Sequence, residues 1–143
     1  MTEHQNNPFA KITAQMLMND AFSQWMGIKI EAVDKDYCKL VCKIRENMLN
    51  GYNVTHGGVI FSIADTALAF AAATSGRTSL VTEHSISFTK SVSKSEEIYA
   101  ESEIIHQSFK IATGTVKLTD RSGNLISFSK GTVYKKSEDI HKP

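Results

Sequence analysis

LNGYNVTHGGVIFSIADTALAFAAA, residues 49–73, begins as a polar loop that turns on glycine and ends as a long apolar, alanine-rich run. The change falls at the paired glycines Gly57 and Gly58. Beyond them Val59, Ile60, Phe61, Ile63, Ala64, Ala67, Leu68, Phe70 and Ala71 cover nearly the whole circumference of a helix, which predicts an element buried on all sides. Thr74, Ser75 and Gly76 supply its stop, with Gly76 suited to the left-handed position just past a helix C-terminus. The helix carries one acid, Asp65, and a carboxylate among apolar residues is costly unless something satisfies or uses it.

The flanking sequence is mostly strand-like. Residues 1–8 are expected to fray, and Pro8 opens a helix expected to run to about Gly27, with Phe9, Ile12 and Met16 at helical spacing. GIKIEAV (27–33) then alternates Ile28, Ile30 and Ala32 against Lys29, Glu31 and Val33. After a turn at Asp34–Asp36, YCKLVCKIR puts Cys38, Leu40, Cys42 and Ile44 on one face and Lys39, Lys43 and Arg45 on the other, so the two runs predict an antiparallel hairpin with one wet face. Four more strands are expected at Leu80–Lys90, Glu97–His106, Ile111–Thr119 and Leu125–Lys135, the last two joined by the hairpin loop DRSGN. The tail beyond Tyr134, residues 135–143, is polar and expected to be mobile.

The inventory predicts one α+β domain over residues 1–143, its core at about 10–134, in which an antiparallel sheet wraps one long central helix. Such a sheet leaves an edge open, so a homodimer or a higher oligomer is expected. Composition sets bounds on function. The chain is 41% hydrophobic and 22% charged, near the average of soluble globular proteins. A net charge of +1 spread over scattered Lys and Arg argues against nucleic acid as a partner. The N-terminal run MTEHQNNPFAK does not read as a secretory signal, and the apolar run from Gly57 contains Asp65 and is too short for a membrane span, so a cytoplasmic protein without membrane partner is expected. Cys38 and Cys42 lie about 13 Å apart at strand rise and predict core thiols, while the five histidines are single and widely spread and predict no metal site.

Two features carry chemistry. Gly57 and Gly58 sit where loop becomes helix, so the first N–H groups point outward with the positive end of the helix dipole behind them, an oxyanion site unless the glycines only permit tight packing. Asp65 lies eight residues on, about 12 Å along the axis and about 80° around it, so one chain does not easily bring both to one carbonyl. Two copies with antiparallel central helices would set Asp65 of one opposite Gly57 of the other, giving two shared sites per dimer. Alternatively Asp65 accepts hydrogen bonds within the core, from Ser62, Thr66 or a partner chain. His56 and Asn50, in the loop before the glycines, suit a positioning role that aims the first helical N–H, or for His56 a wholly structural one, since no G-x-S-x-G is present for a nucleophilic triad.

With Asn50, the His56-Gly57-Gly58 triplet and Asp65 at these spacings, the chain resembles the hot-dog fold acyl-CoA thioesterases of the phenylacetate-degradation PaaI type, over about Ala10 to Tyr134. The resemblance implies a helix "sausage" in a sheet "bun", dimers that commonly pair into homotetramers, and an acyl-CoA substrate; the aromatic residues favour an aryl or medium-chain acyl group, and no cofactor or metal is expected. It also implies that the Gly57 N–H, helped by Asn50 and with His56 and Gly58 beside it, polarises the thioester carbonyl. Asp65 of the other subunit would act as base on water or as nucleophile. Thr82 becomes a candidate to orient the water, provided the strand register turns it inward. The chain departs from the family in reading KSVSKSEEIYAES where a proline and then Gly-Asp are common, and in placing Glu83 near the expected pocket. Phe61, Phe70, Phe88 and Tyr52 are candidates to meet an acyl group, and Arg77, Lys90 and Lys94 are surface candidates for CoA. A non-catalytic acyl-CoA or lipid-binding protein is the alternative on the same fold, and a hot-dog dehydratase fits the spacing of His56 and Asp65 poorly.

Overall fold

The computed structural model describes residues 6–139; the fraying expected of residues 1–5 and the mobility expected of 140–143 lie outside the described residues. Period-two patterning builds one six-stranded sheet from β1 (Lys29–Asp34), β2 (Tyr37–Lys43), β3 (Arg77–Phe88), β4 (Glu97–Gln107), β5 (Ile111–Thr119) and β6 (Leu125–Asp139). All neighbours pair antiparallel, in the order β1-β2-β4-β5-β6-β3. The long helix α3 (Gly57–Ala73) packs on the inner face of that sheet, which is the predicted hot-dog layout. Cys38, Leu40 and Cys42 of β2, Ile98 and Ala100 of β4 and Val116 and Leu118 of β5 form the buried floor beneath it. Each large aliphatic side chain sealed there contributes about 1.5–3 kcal/mol over exposure.

One contact fixes how α3 lies. Leu68 rests in a notch where two sheet residues lack side chains: a Cβ on Gly114 would come within 2.5 Å of one Leu68 methyl, and a Cβ on Gly131 within 2.5 Å of the other. At the far end, the Thr74 hydroxyl donates to the Ala71 carbonyl at 2.7 Å and accepts the Asp36 N–H at 2.9 Å, tying the helix end to the β1–β2 turn. Gly76 follows with φ 80° and turns the chain into β3.

The structure corrects four expectations. The helix expected over Pro8 to about Gly27 is two: α1 (Pro8–Met18), capped by Asn7, and α2 (Ala21–Met26), capped by Asp20, whose carboxylate accepts the Ser23 N–H. Helical spacing of apolar residues runs across the break, but Asn19 and Asp20 compete for the backbone and end one helix to begin the next. In β1 a bulge between Ile30 and Ala32 makes Ile30 and Val33, not Ile30 and Ala32, the half-buried pair. β6 does not stop near Tyr134: it pairs as far as Asp139 opposite Arg77, whose guanidinium donates to the carbonyls of Lys135 and Lys136 and holds the polar segment in the sheet. Finally, α3 is not buried on all sides in the single chain. Gly58, Ser62, Asp65 and Ala69 form a stripe that stays accessible, fully at Gly58 and partly at the other three.

The two sheet edges differ. β1 is short and bulged, and α1 packs against it, with the Asn7 side-chain amide donating to the Val33 carbonyl at 2.9 Å. β3 runs twelve residues and, among the described residues, has no strand on its outer side.

Candidate active site

The loop from Asn50 to His56 is built to deliver the start of α3. Asn50 closes it: its side-chain oxygen accepts the N–H groups of Tyr52 at 2.9 Å and Val54 at 3.3 Å, while its backbone N–H donates to the Val54 carbonyl. With that oxygen committed to the loop, the Asn50 amide NH2 is the half of the side chain free to donate outward. Thr55 anchors the other arm, its N–H and hydroxyl both donating to the Val92 carbonyl.

His56 is the N-cap of α3, and its Nδ1 accepts the Gly58 N–H at 2.8 Å. The two glycines therefore serve different ends. A Cβ on Gly58 would lie 2.9 Å from His56 Nδ1, so Gly58 makes room for the imidazole, and its N–H is spent on the cap. The Gly57 N–H meets no acceptor among the described residues. Gly57 lines a groove of about 360 Å³ together with Thr55, Ile60, Phe88, Thr89, Lys90 and Ser91, with the Phe88 ring lying over the glycine. Of the two N–H groups, Gly57's alone is placed for an oxyanion.

Asp65 lies two turns further along α3, its side chain 41% exposed. Its Oδ1 meets Nδ1 of His84, a β3 residue whose side chain is 2% exposed, at 2.9 Å. The other ring nitrogen of His84 meets the hydroxyl of Ser129, on β6, at 2.9 Å. Ser62 and Thr66, the partners considered for Asp65, are engaged elsewhere: Ser62 donates to the Gly58 carbonyl, and Thr66 lies 3.4 Å from the Ser23 hydroxyl. Sequence reasoning missed His84, although the alternation in TEHSISF puts it on the face of Ile86, toward the helix that carries the acid.

The remaining candidates separate. Thr82 sits at a bulge between Val81 and Glu83, exposed, with its hydroxyl donating to the Thr132 carbonyl at 3.2 Å. Glu83 lies with the Thr132 hydroxyl. Phe61 packs at 5.1 Å, tilted by 50°, against the His84 ring, Phe70 is buried against α1, and Tyr52 is 90% exposed at the loop tip. Arg77 is held by β6 carbonyls, Lys94 pairs with Glu46 at 3.8 Å, and Lys90 pairs with Asp120. The hydrogen bond with Asp120 raises the Lys90 pKa above the ordinary lysine value, so the groove keeps a cation at its rim. Among the described residues no three His, Cys, Asp or Glu side chains converge on a metal-sized site, and no helix is long and apolar enough to cross a membrane.

A hot-dog sheet and helix, with an unpaired glycine N–H at the helix start and an acid two turns along, define a thioester-hydrolase scaffold. The chain belongs to the thioesterase superfamily, whose family model matches residues 52–127. A relative from Archaeoglobus fulgidus, provisionally named an esterase, is 31% identical over 97% of this chain and 90% of its own length. The acyl-coenzyme A thioesterase PaaI of Escherichia coli is 25% identical, over 84% of this chain and 86% of that protein. The solved E. coli PaaI structure superposes with a TM-score of 0.90 at 23% identity, covering 92% of this chain and 95% of that one. A thioesterase-class protein of Streptococcus pneumoniae solved with coenzyme A shares the fold at a TM-score of 0.82 and 20% identity, over 87% and 98% of the two chains.

Proposed function

We propose that this protein hydrolyses acyl-CoA thioesters to the free acid and CoA at a site shared between two copies of the chain. The observation that carries the reading is the division of labour along α3. Gly57, its N–H without an acceptor among the described residues, lines the groove under Phe88, while Asp65 stands about 12 Å along the axis on the accessible stripe, where a facing helix would meet it. The twelve-residue open edge of β3 supports antiparallel pairing of two copies, because such an edge is an adhesive liability unless something covers it. The names of the E. coli and S. pneumoniae relatives support a CoA thioester as substrate.

In this reading the thioester carbonyl oxygen accepts from the Gly57 N–H, with the Asn50 amide as second donor and His56 holding the helix start. Asp65 of the facing copy takes a proton from water as the water oxygen bonds to the carbonyl carbon. The tetrahedral intermediate collapses with loss of the C–S bond, and the CoA thiolate leaves and is protonated. A thioester is activated enough that one oxyanion donor and one base suffice. Phe88 beside Gly57 suits aryl or medium-chain acyl groups, phenylacetyl-CoA among them. The family resemblance supports a further pairing of two such dimers into a tetramer.

The test is CoA release, followed with a thiol reagent over phenylacetyl-, hydroxylated aryl- and straight-chain acyl-CoAs, for the native protein and Asp65→Asn. The variant is expected to stay folded and dimeric and to lose about two or more powers of ten in turnover. Unchanged turnover in a folded variant sinks the role of Asp65. Saturable acyl-CoA binding without thiol release by the native protein replaces hydrolysis with a binding function.

A further inference from the structure

Asp65, His84 and Ser129 form a line of acid, imidazole and hydroxyl, with contacts of 2.9 Å at both ring nitrogens. The order superficially matches a serine hydrolase triad, but the burial runs the wrong way. Ser129 is fully buried beneath the helix, His84 is sealed, and only the carboxylate reaches the surface. A serine without access to substrate is no nucleophile. The accessible acid is the working end, and the other two residues stand behind it.

Building on the reading of Asp65 as the base, we propose that His84 is its positioning residue and that Ser129 fixes the tautomer in which His84 serves. An ionised carboxylate can only accept, so Nδ1 carries the proton and donates to Asp65 Oδ1; Nε2 then accepts from the Ser129 hydroxyl. This spends one carboxylate oxygen on the protein and leaves Oδ2 for water. The ring cannot swing away: Phe61 packs on it at 5.1 Å, and Gly131 is bare where a Cβ would come within 3.3 Å of the ring carbon Cδ2. The ring thus faces Phe61 and Asp65 of α3 and Ser129 and Gly131 of β6, and Asp65 is the charged group of the four. Glu83, next to it in β3, lies with Thr132 on the other face.

Two substitutions separate positioning from packing. His84→Asn sets an amide N–H near the place of Nδ1 and keeps the donor to Asp65, whereas His84→Gln reaches toward Ser129 and loses it. The Asn variant is expected to hold kcat within about 5-fold of native. The Gln variant is expected to lose about 10- to 100-fold in kcat, the worth of one hydrogen bond to a charged group, with KM moved less than about 3-fold. Independently of any variant, 15N spectra of the native histidine at alkaline pH should show Nδ1 protonated and Nε2 bare. Equal losses in the two variants, a Gln variant with native kcat, or the opposite tautomer each overturn the proposal. A fully active Asp65→Asn removes the underlying reading, whereas an inactive Asp65→Asn beside an unimpaired His84→Gln overturns the positioning role alone.

Discussion

If each site takes Gly57 from one chain and Asp65 from the other, two inactive variants should rescue one another when mixed. The Gly57 half can be disabled with little collateral damage. Gly57 is the first residue of α3, a position where proline is favoured, so Gly57→Pro deletes the N–H and keeps the helix start. The preceding residue, His56, already holds φ −60° and ψ 134°, within the extended region that a following proline demands. A Cβ at this position would meet the Phe88 ring at 3.4 Å, an ordinary contact. Loss of one preorganised oxyanion donor is expected to cost about 100- to 1,000-fold in kcat. Mixed in equal amounts with Asp65→Asn and allowed to re-pair, about half of the dimers are hybrids. In each hybrid, one site joins an intact Gly57 to an intact Asp65 and the other joins the two lesions, so activity should return to about one quarter of native. Co-expression with two different affinity tags isolates the hybrid, which should show about half of native turnover per dimer by the same counting. A purified hybrid no more active than either parent refutes the shared site and puts Gly57 and Asp65 to work within one chain.

Three further outcomes follow from the packing and the charges. Gly114→Ala drives a methyl to within 2.5 Å of Leu68 and should cost about 1–3 kcal/mol by overpacking. Leu68→Ala alone should cost about 2–5 kcal/mol, and in the double variant the two losses should fall short of their sum by about 1–2 kcal/mol in denaturant melts at fixed protein concentration; strict additivity would mean the clash lies elsewhere. Asp120, in the β5–β6 loop, accepts from Lys90 and from the side chain and backbone of Asn124, which holds its pKa well below the ordinary carboxylate range. A depressed folded pKa adds stability above the unfolded value and loses it as pH falls through the folded one, so Asp120→Asn should melt lower than native at pH 7, with the gap closing below about pH 4. A gap independent of pH contradicts this. Burial pushes the thiol of Cys38 up to about 12 and that of Cys42 up to about 11, the nearby Arg45 charge opposing it slightly, so an aromatic disulfide reagent at pH 8 should find no thiol in the native protein and both after unfolding.

The strands and the central helix were legible because period-two and helical patterns are properties of neighbouring residues: Cys38, Leu40, Cys42 and Ile44 read as one buried face and are one. What escaped were devices in which one residue overrides the pattern. Asn19 and Asp20 break a continuous helical spacing, and the bulge in β1 exchanges Ala32 for Val33 without any glycine to mark it. The last residues of β6 are polar because β3 and Arg77 hold them through the backbone, a long-range pairing with no local signal. At the candidate site, Asn50, His56, Gly57 and Asp65 stood out by residue type and spacing. His84 did not, because its meaning depends on strand register and on which helix residue lies above it. The distinct tasks of Gly57 and Gly58 are invisible until the imidazole is seen filling the space over one of them.

The slot formed by Gly114 and Gly131 carries positional information through what is missing. Neither glycine has a positive φ, so neither is there to bend the chain; each is a blank against which one methyl of Leu68 comes to rest. A key with two teeth in two gaps can neither roll nor slide, and Asp65 sits three residues before it on the same rigid rod. The bearing of the acid is thus written on β5 and β6, in residues that a search for reactive side chains would pass over. A directed-evolution campaign that protects Gly57 and Asp65 but leaves Gly114 and Gly131 open to change would be altering the aim of the carboxylate while believing the chemistry untouched.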